Sequence, residues 1–264
     1  MAMKKNQKRI ILLLLAICLV IACSTLIQKH QSPQKVDSVN HTNTKYDFQK
    51  FLPTTNNKIY HHIYYSLSYN EKHEQADWVY YLLTKESVNG TAKRKDHFRE
   101  DDMITTKSAS LNDYKNSGYD RGHLCAAADM KLNKTAMSET FFLSNMSPQL
   151  PGFNRGEWKK LEAKVREWAI QEDSILVVTG PIFKNNIQNI GENQVTVPGY
   201  YYKVIYDLTK PQKMTAFILP HQAKPEPYIT YQTSVNEVEK QTGIDFFSIL
   251  DDEFEEQLEA NQHW

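Results

Sequence analysis

A chain of 264 residues that is 41% hydrophobic and 23% charged can build a substantial core, which excludes a disordered polypeptide on composition. Lys plus Arg and Asp plus Glu each number 31, so the formal net charge is zero, and a protein coated in positive charge, such as a histone-like DNA packager, is excluded. Three cysteines, Cys18, Cys23 and Cys125, exclude a disulfide-stapled scaffold.

The chain begins with Lys4, Lys5, Lys8 and Arg9, and the first acid is Asp37. The apolar run Ile10–Cys23 follows and is shorter than the roughly 20 residues that a spanning helix needs. Residues 1–22 therefore read as a signal peptide of the lipoprotein type. The run closes on Val20-Ile21-Ala22-Cys23, which resembles a bacterial lipobox and makes Cys23 the expected lipidation site. An uncleaved signal anchor is the alternative. Either form attaches the chain to a membrane and places the rest outside the cytoplasm. Residues 23–55, polar and without periodicity, read as a flexible tether.

Residues 56–250 read as one domain. Trp78–Thr84, Ser174–Thr179, Gly199–Tyr206 and Lys213–Leu219 are rich in β-branched and aromatic residues and predict strands. Gly180-Pro181 is expected to end the second of them. Helical spacing of Trp158, Leu161, Val165, Trp168 and Ala169 predicts a helix over Arg155–Gln171, and a second is expected over Pro227–Lys240. The mixture predicts an α+β domain with a substantial sheet. Residues 251–264 read as a solvated acidic tail.

The chemistry concentrates in Ser117–Ala128. Asp120, Arg121 and His123 surround Gly122 and run into a small apolar segment. Imidazole titrates near neutral pH, so His123 suits a general base, with Asp120 or a backbone carbonyl orienting it and Arg121 meeting an anion. A surface histidine in a loop is the bland competitor. Further on, Asn154, Trp158, Glu162 and Arg166 recur every four residues and form a slanting row on a helix. An amide oxygen at Asn154 is a hard ligand suited to Mg²⁺, and Glu162 could hold the ion's waters. A helix N-cap at Asn154 and a surface ion pair between Glu162 and Arg166 are the structural alternatives.

Six ordered motifs carry a family resemblance. They are Phe98-Arg-Glu-Asp-Asp102, Tyr119-Asp-Arg-Gly-His-Leu124, Leu143-Ser-Asn-Met-Ser-Pro-Gln149, Asn154 with Trp158-Lys-Lys-Leu-Glu162, Val178-Thr-Gly-Pro-Ile182 and Val197-Pro-Gly-Tyr-Tyr-Tyr-Lys203. Between about Phe98 and Leu219 the chain resembles the sugar-non-specific DNA/RNA endonucleases of the ββα-metal superfamily, which includes endonuclease G. The resemblance implies a ββα-metal (His-Me finger) fold with a central, mainly antiparallel sheet flanked by helices.

It further implies that His123 is the general base, Asn154 the sole direct protein ligand of Mg²⁺ (with Mn²⁺ as a substitute), and Glu162 the carboxylate anchoring metal-bound water. Asn145, Arg121 and Arg166 match further residues at the site, and Arg99 stands, in a looser alignment, where the family contacts phosphate. DNA and RNA are the implied substrates, 5′-phosphates the implied products, and a homodimer is known among relatives. The family has a small residue where this chain has Cys125.

Two other classes stay in view. One is a catalytically inactive nuclease fold that binds nucleic acid; retention of His123, Asn154 and Glu162 argues against it. The other is a zinc hydrolase, for which no H-E-x-x-H helix is present. Charge is unevenly spread: residues 1–36 carry six basic residues and no acid, and from Glu237 onward nine acids face only Lys240. Loss of Lys4, Lys5, Lys8 and Arg9 with a cleaved signal leaves a chain near −4. A non-basic chain of this kind predicts weak overall nucleic-acid binding and ready release.

Overall fold

The computed structural model describes residues 48–184, 188–262 and 264. The expected signal peptide, its Cys23 lipidation site and most of the expected tether lie outside these residues. Residues Phe48–Trp264 form one compact unit.

The strands are β1 (Lys58–His61), β2 (Ser66–Asn70), β3 (Gln75–Thr84), β4 (Asp120–His123), β5 (Met146–Gln149), β6 (Ser174–Ile182), β7 (Gln188–Ile190), β8 (Val195–Val197), β9 (Tyr200–Asp207), β10 (Lys213–Pro220) and β11 (Gln232–Thr233). The helices are α1 (Lys85–Asn89), α2 (Leu111–Tyr114), α3 (Lys134–Glu139), α4 (Pro151–Phe153), α5 (Lys159–Gln171), α6 (Val235–Thr242) and α7 (Asp252–Glu259), with a π-turn over Asn154–Trp158 between α4 and α5. Seven strands pair antiparallel in the order β1-β2-β3-β6-β9-β10-β11. The α+β architecture expected from the strand and helix patterns is thus present.

The central strands are buried on both faces, so their sequences run apolar without alternation. On one face Val79, Tyr81, Val177, Tyr201, Ile205 and Phe217 pack with Trp158, Leu161, Val165 and Trp168 from the π-turn and α5. On the other, Tyr202 meets Phe246 and Tyr206 meets Phe247, with ring centroids 5.7 and 4.9 Å apart. The smaller β4–β5 pair is tied to this sheet through Tyr201, whose hydroxyl donates to Pro148 O at 2.8 Å. β4, β5 and the helical run after them form the ββα unit that the resemblance implies.

Four boundaries differ from the sequence expectations. β6 does not stop at Gly180-Pro181 but continues to Ile182, paired with β9. Its pairing with β3 ends at Thr179, so Pro181 lies where no β3 partner asks for its missing N–H. Gly180 is required there by close approach: a Cβ would lie 2.1 Å from Asp77 O. The second helix starts only at Val235, capped by Ser234, while Tyr228–Tyr231 is a 3₁₀ turn and β11 pairs with β10.

The folded unit also takes in Phe48–Phe51, which was assigned to the tether; Tyr80 donates to Phe48 O at 2.6 Å. The acidic end is not a solvated tail. It forms α7, capped by Asp251, which buries Leu258 and Glu259, and Trp264 beyond it stacks on Trp168 at 4.7 Å. Leu258 on the inner side of α7, with Trp264 beyond it, docks this end despite its charge.

Candidate active site

A cleft of about 630 Å³ opens between β4 and the helical run that follows β5. Its lining includes His123, Asn154, Glu162, Arg121 and Arg166, which are 45 residues apart in sequence at the extremes. Arg94, Asp96, Asp120, Arg155 and Lys159 complete its polar wall, so five basic side chains face three acids. The excess positive charge is local, within a chain of zero formal charge.

His123 ends β4, opposite Met146 of β5. Gly122 before it is set by packing, since a Cβ would lie 2.2 Å from the Gln149 side chain. The imidazole is 8% exposed, and its Nε2 is buried with no hydrogen-bond partner. Phe141 meets the ring edge-on at 5.1 Å and Phe98 lies 5.7 Å away. Burial in this aromatic setting, reinforced by Arg94 and, less strongly, by Arg121, and opposed by Asp96, lowers the His123 pKa to about 3. The ring is therefore neutral at pH 7.

Asp120 does not orient His123, as the sequence suggested it could. Its Oδ2 accepts from Asn154 Nδ2 at 2.9 Å, and Arg155 donates to both of its oxygens at 2.9 and 2.6 Å. Three residues before His123 on β4, it points to the opposite face of the strand and reaches the helical run instead. The bond to Nδ2 ties up the amino end of the Asn154 amide and leaves Oδ1 as the end for a ligand. Nor is Asn154 an N-cap: Leu150 holds that position, Pro151 fills the first helical position, and Asn154 has αR backbone angles.

The residues from Asn154 to Trp158 form a π-turn, with Gly156 in a non-helical conformation at φ −100°, ψ −117°. The expected slanting row is broken here. Trp158 is fully buried in the core, whereas Asn154, Glu162 and Arg166 face the cleft. Burial raises the Glu162 pKa to about 7, against the opposing charges of Lys203, Arg166 and Arg94. Behind it Lys203 is 1% exposed, donates to Thr179 Oγ1 at 2.5 Å and lies 5.0 Å over the Trp158 ring. Arg166 does not pair with Glu162. It donates to Asp129 Oδ1 at 2.8 Å, and Tyr81 donates to the other oxygen.

Arg121 projects past the Phe98 ring at 4.0 Å and makes no ion pair among the described residues, so its charge is available to an anion. Asn145 and Arg99 do not line this cleft. Asn145 is fully buried; Oδ1 accepts from Cys125 N at 2.8 Å, and Nδ2 donates to Cys125 O and Thr140 O at 3.0 and 2.9 Å. It locks the strand end next to His123 rather than touching a substrate. Arg99 donates to His97 O and Ser138 O, lies 3.9 Å over Phe142 and lines a separate groove with His62 and Lys134.

Arg94 and Arg155, to which the sequence pattern assigned no role, line the cleft, as does Lys159, which helical spacing would put on the solvated opposite face. Arg94 is five residues before Arg99 in the same basic stretch; only the turn of the chain before Phe98 separates the one that reaches the cleft from the one that does not. Among the described residues no three His, Cys, Asp or Glu side chains gather as a metal cage. No described helix is long and apolar enough to cross a membrane.

Comparison with known proteins agrees with the motifs. The model of the DNA/RNA non-specific endonuclease family matches residues 43–253. The chain belongs to this family. Nuclease C1 of Cunninghamella echinulata var. echinulata is 38% identical over 205 residues, which cover 71% of this chain and 81% of that one. Human mitochondrial endonuclease G is 33% identical over 198 residues, 69% of this chain and 67% of that protein. Mouse mitochondrial nuclease EXOG is 33% identical, but the match covers only 56% of it.

A crystal structure of an EndoG/EndoGI complex superposes with a TM-score of 0.71 at 32% identity, covering 77% of this chain and 91% of the matched chain. The fold and enzyme class expected from the sequence are those of this family, a hydrolytic endonuclease acting on nucleic acids.

Proposed function

We propose that this enzyme is a Mg²⁺-dependent endonuclease that hydrolyses DNA and RNA, with His123 as general base. The observation that carries the reading is the convergence in one cleft of a buried neutral imidazole, an amide with its oxygen end untethered, a half-buried carboxylate and an excess of basic side chains. The amide oxygen of Asn154 fits a hard divalent cation, which it would hold, and Glu162 would anchor the ion's waters. When bound, such an ion supplies Lewis-acid stabilisation of charge on a phosphate.

The residues of the chain do the rest. Nε2 of His123 is buried, which leaves Nδ1 as the nitrogen to take the proton of an attacking water. A phosphate in the cleft brings negative charge that raises the imidazole pKa, making it a better acceptor when substrate is present. Arg121 and Arg94 stabilise charge on the phosphoryl oxygens. Attack in line with the 3′ oxygen leaves a 5′-phosphate. Nothing in this set reads a base edge or a 2′-hydroxyl, in keeping with action on both DNA and RNA.

Folded protein from residue 24 onward should nick supercoiled plasmid and degrade RNA with Mg²⁺, and EDTA should abolish both. His123→Ala should lose at least about 100-fold of the rate. Undiminished cleavage by folded His123→Ala would remove the base assignment, and binding without cleavage by the native chain would favour an inactive nucleic-acid-binding module.

For the N-terminal region we propose export with Cys23 as the lipid anchor, on the strength of the basic, apolar and cysteine-ended segment. A Cys23→Ser chain that remains as firmly membrane-associated as the native one would favour the uncleaved anchor.

A further inference from the structure

The helical turn that carries Asn154 is clasped from outside by the segment that follows β10, and the centre of that clasp is a histidine. His221 is half-buried, with both ring nitrogens engaged. Its Nε2 accepts from Leu150 N at 2.7 Å, and its Nδ1 faces Pro198 O at 2.8 Å. A carbonyl can only accept and a backbone N–H can only donate, so the ring must be the neutral tautomer with hydrogen on Nδ1. Phe153 and Tyr201 stand edge-on to it at 5.3 and 5.2 Å.

The partner residue is critical. Leu150 is the N-cap of the helical run, and its carbonyl accepts from Asn154 N at 2.9 Å. His221 therefore anchors, through its N–H, the residue whose carbonyl accepts from the backbone of Asn154. Two further contacts come from the same segment. The Ala223 carbonyl packs so closely on Gly152 that a Cβ there would lie 2.1 Å from the oxygen. Tyr228 N donates to Glu157 Oε2 at 2.9 Å, inside the π-turn.

A π-turn with a non-helical Gly156 is not a conformation that local propensity favours, so contacts from elsewhere must select it. The clasp holds it at Leu150, Gly152 and Glu157, on either side of Asn154. Among the described residues no hydrogen bond joins His221 to Asn154, and His221 does not line the cleft.

We propose that His221 is a positioning residue that sets the placement of the Asn154 amide through Leu150, and so governs metal affinity and turnover rather than substrate binding. This rests on the reading of Asn154 as the metal-holding residue.

The test uses the folded chain and Mn²⁺ as the probe, with binding followed by electron paramagnetic resonance in the absence of nucleic acid and with plasmid cleavage measured separately. Native protein, Asn154→Ala, His221→Ala and His221→Gln are compared, each checked for a cooperative thermal transition. His221→Ala should bind Mn²⁺ about tenfold more weakly and lose about tenfold in kcat, with KM for DNA changed less than about twofold. His221→Gln, which keeps one donor and one acceptor, should recover most of both.

If Asn154→Ala weakens Mn²⁺ while folded His221→Ala does not, the positioning role is overturned and the site reading stands. If Asn154→Ala binds Mn²⁺ normally, the site reading itself falls. If His221→Gln is as impaired as His221→Ala, the hydrogen-bond argument fails. Should His221→Ala not fold, His221→Gln and Gly152→Ala decide: native Mn²⁺ affinity in folded Gly152→Ala, whose Cβ would push the clasp away, counts against the proposal.

Discussion

Glu162 and Glu259 are both carboxylates that burial holds above the usual range, to about 7 and about 9, and their neighbours differ in sign. Glu162 shares its surroundings with Lys203, Arg166 and Arg94, against one acid, Asp129, and borders an open cleft. Glu259, on the inner side of α7, faces Glu239, Glu255, Asp245 and Glu256, and its Oε1 has no partner. The first is a half-buried acid whose burial cost is partly offset by fixed cations and which borders a cleft open to a ligand. The second is a destabilising feature on the far side of the sheet from α5. Burial of a carboxylate does not by itself mark a site; the charge and access around it do.

The largest test of this contrast is Glu162→Gln. Plasmid cleavage should fall by about 100-fold while the denaturation midpoint holds or rises; a rate near that of the native chain would place Glu162 with Glu259. Next in size is Asn145→Ala. This amide is buried like Glu259 but has all its hydrogen bonds made, so its removal strands the N–H of Cys125 and two carbonyls, at a cost of about 2–3 kcal/mol in urea unfolding. A loss below about 0.5 kcal/mol would show that the network is not what holds the strand end.

Glu259→Gln should act in the opposite direction. Because the folded state keeps a proton that the unfolded chain releases, the native protein is most stable below the ordinary glutamate value of 4.5 and loses stability as pH rises toward about 9. The amide variant should gain about 1–2 kcal/mol at pH 8 and little at pH 4, with cleavage unaltered. Equal effects at both pH values would contradict the uncompensated charge.

The smallest effect is expected at Arg99→Ala. Its guanidinium is already spent on two carbonyls and on Phe142, so turnover should change by less than about threefold, whereas Arg94→Ala should cost more than tenfold. The reverse order would restore Arg99 to the phosphate site.

Much of the site was legible in the chain. His123, Asn154 and Glu162 could be singled out as candidates from the ordered motifs that carry the family resemblance, and the structure brings all three to one cleft. The strands of the large sheet were legible for a similar reason: a strand buried on both faces must be continuously apolar and branched or aromatic. The misjudged boundaries turn on non-local contacts. Gly180-Pro181 is a local breaker, but whether a breaker ends a strand depends on which neighbour needs its N–H, and the helix expected from Pro227 is delayed to Val235 because Gln232-Thr233 pairs with β10. α7 was missed because its acids outweigh its few apolar contacts in any local reading.

The sequence by itself determined the chemical inventory, the family and the order of the main elements, since these depend on residue type and short-range spacing. Tertiary structure alone decided which of these residues meet. It turned Asp120 from His123 to Asn154 across 34 residues. It brought Arg94 rather than Arg99 to the cleft, buried Lys203 behind Glu162, and set His221 beneath the turn that carries Asn154. Periodicity reports which face of an element is apolar. It carries no information on what a polar side chain finds at the end of its reach, because that depends on the path of a backbone many residues away.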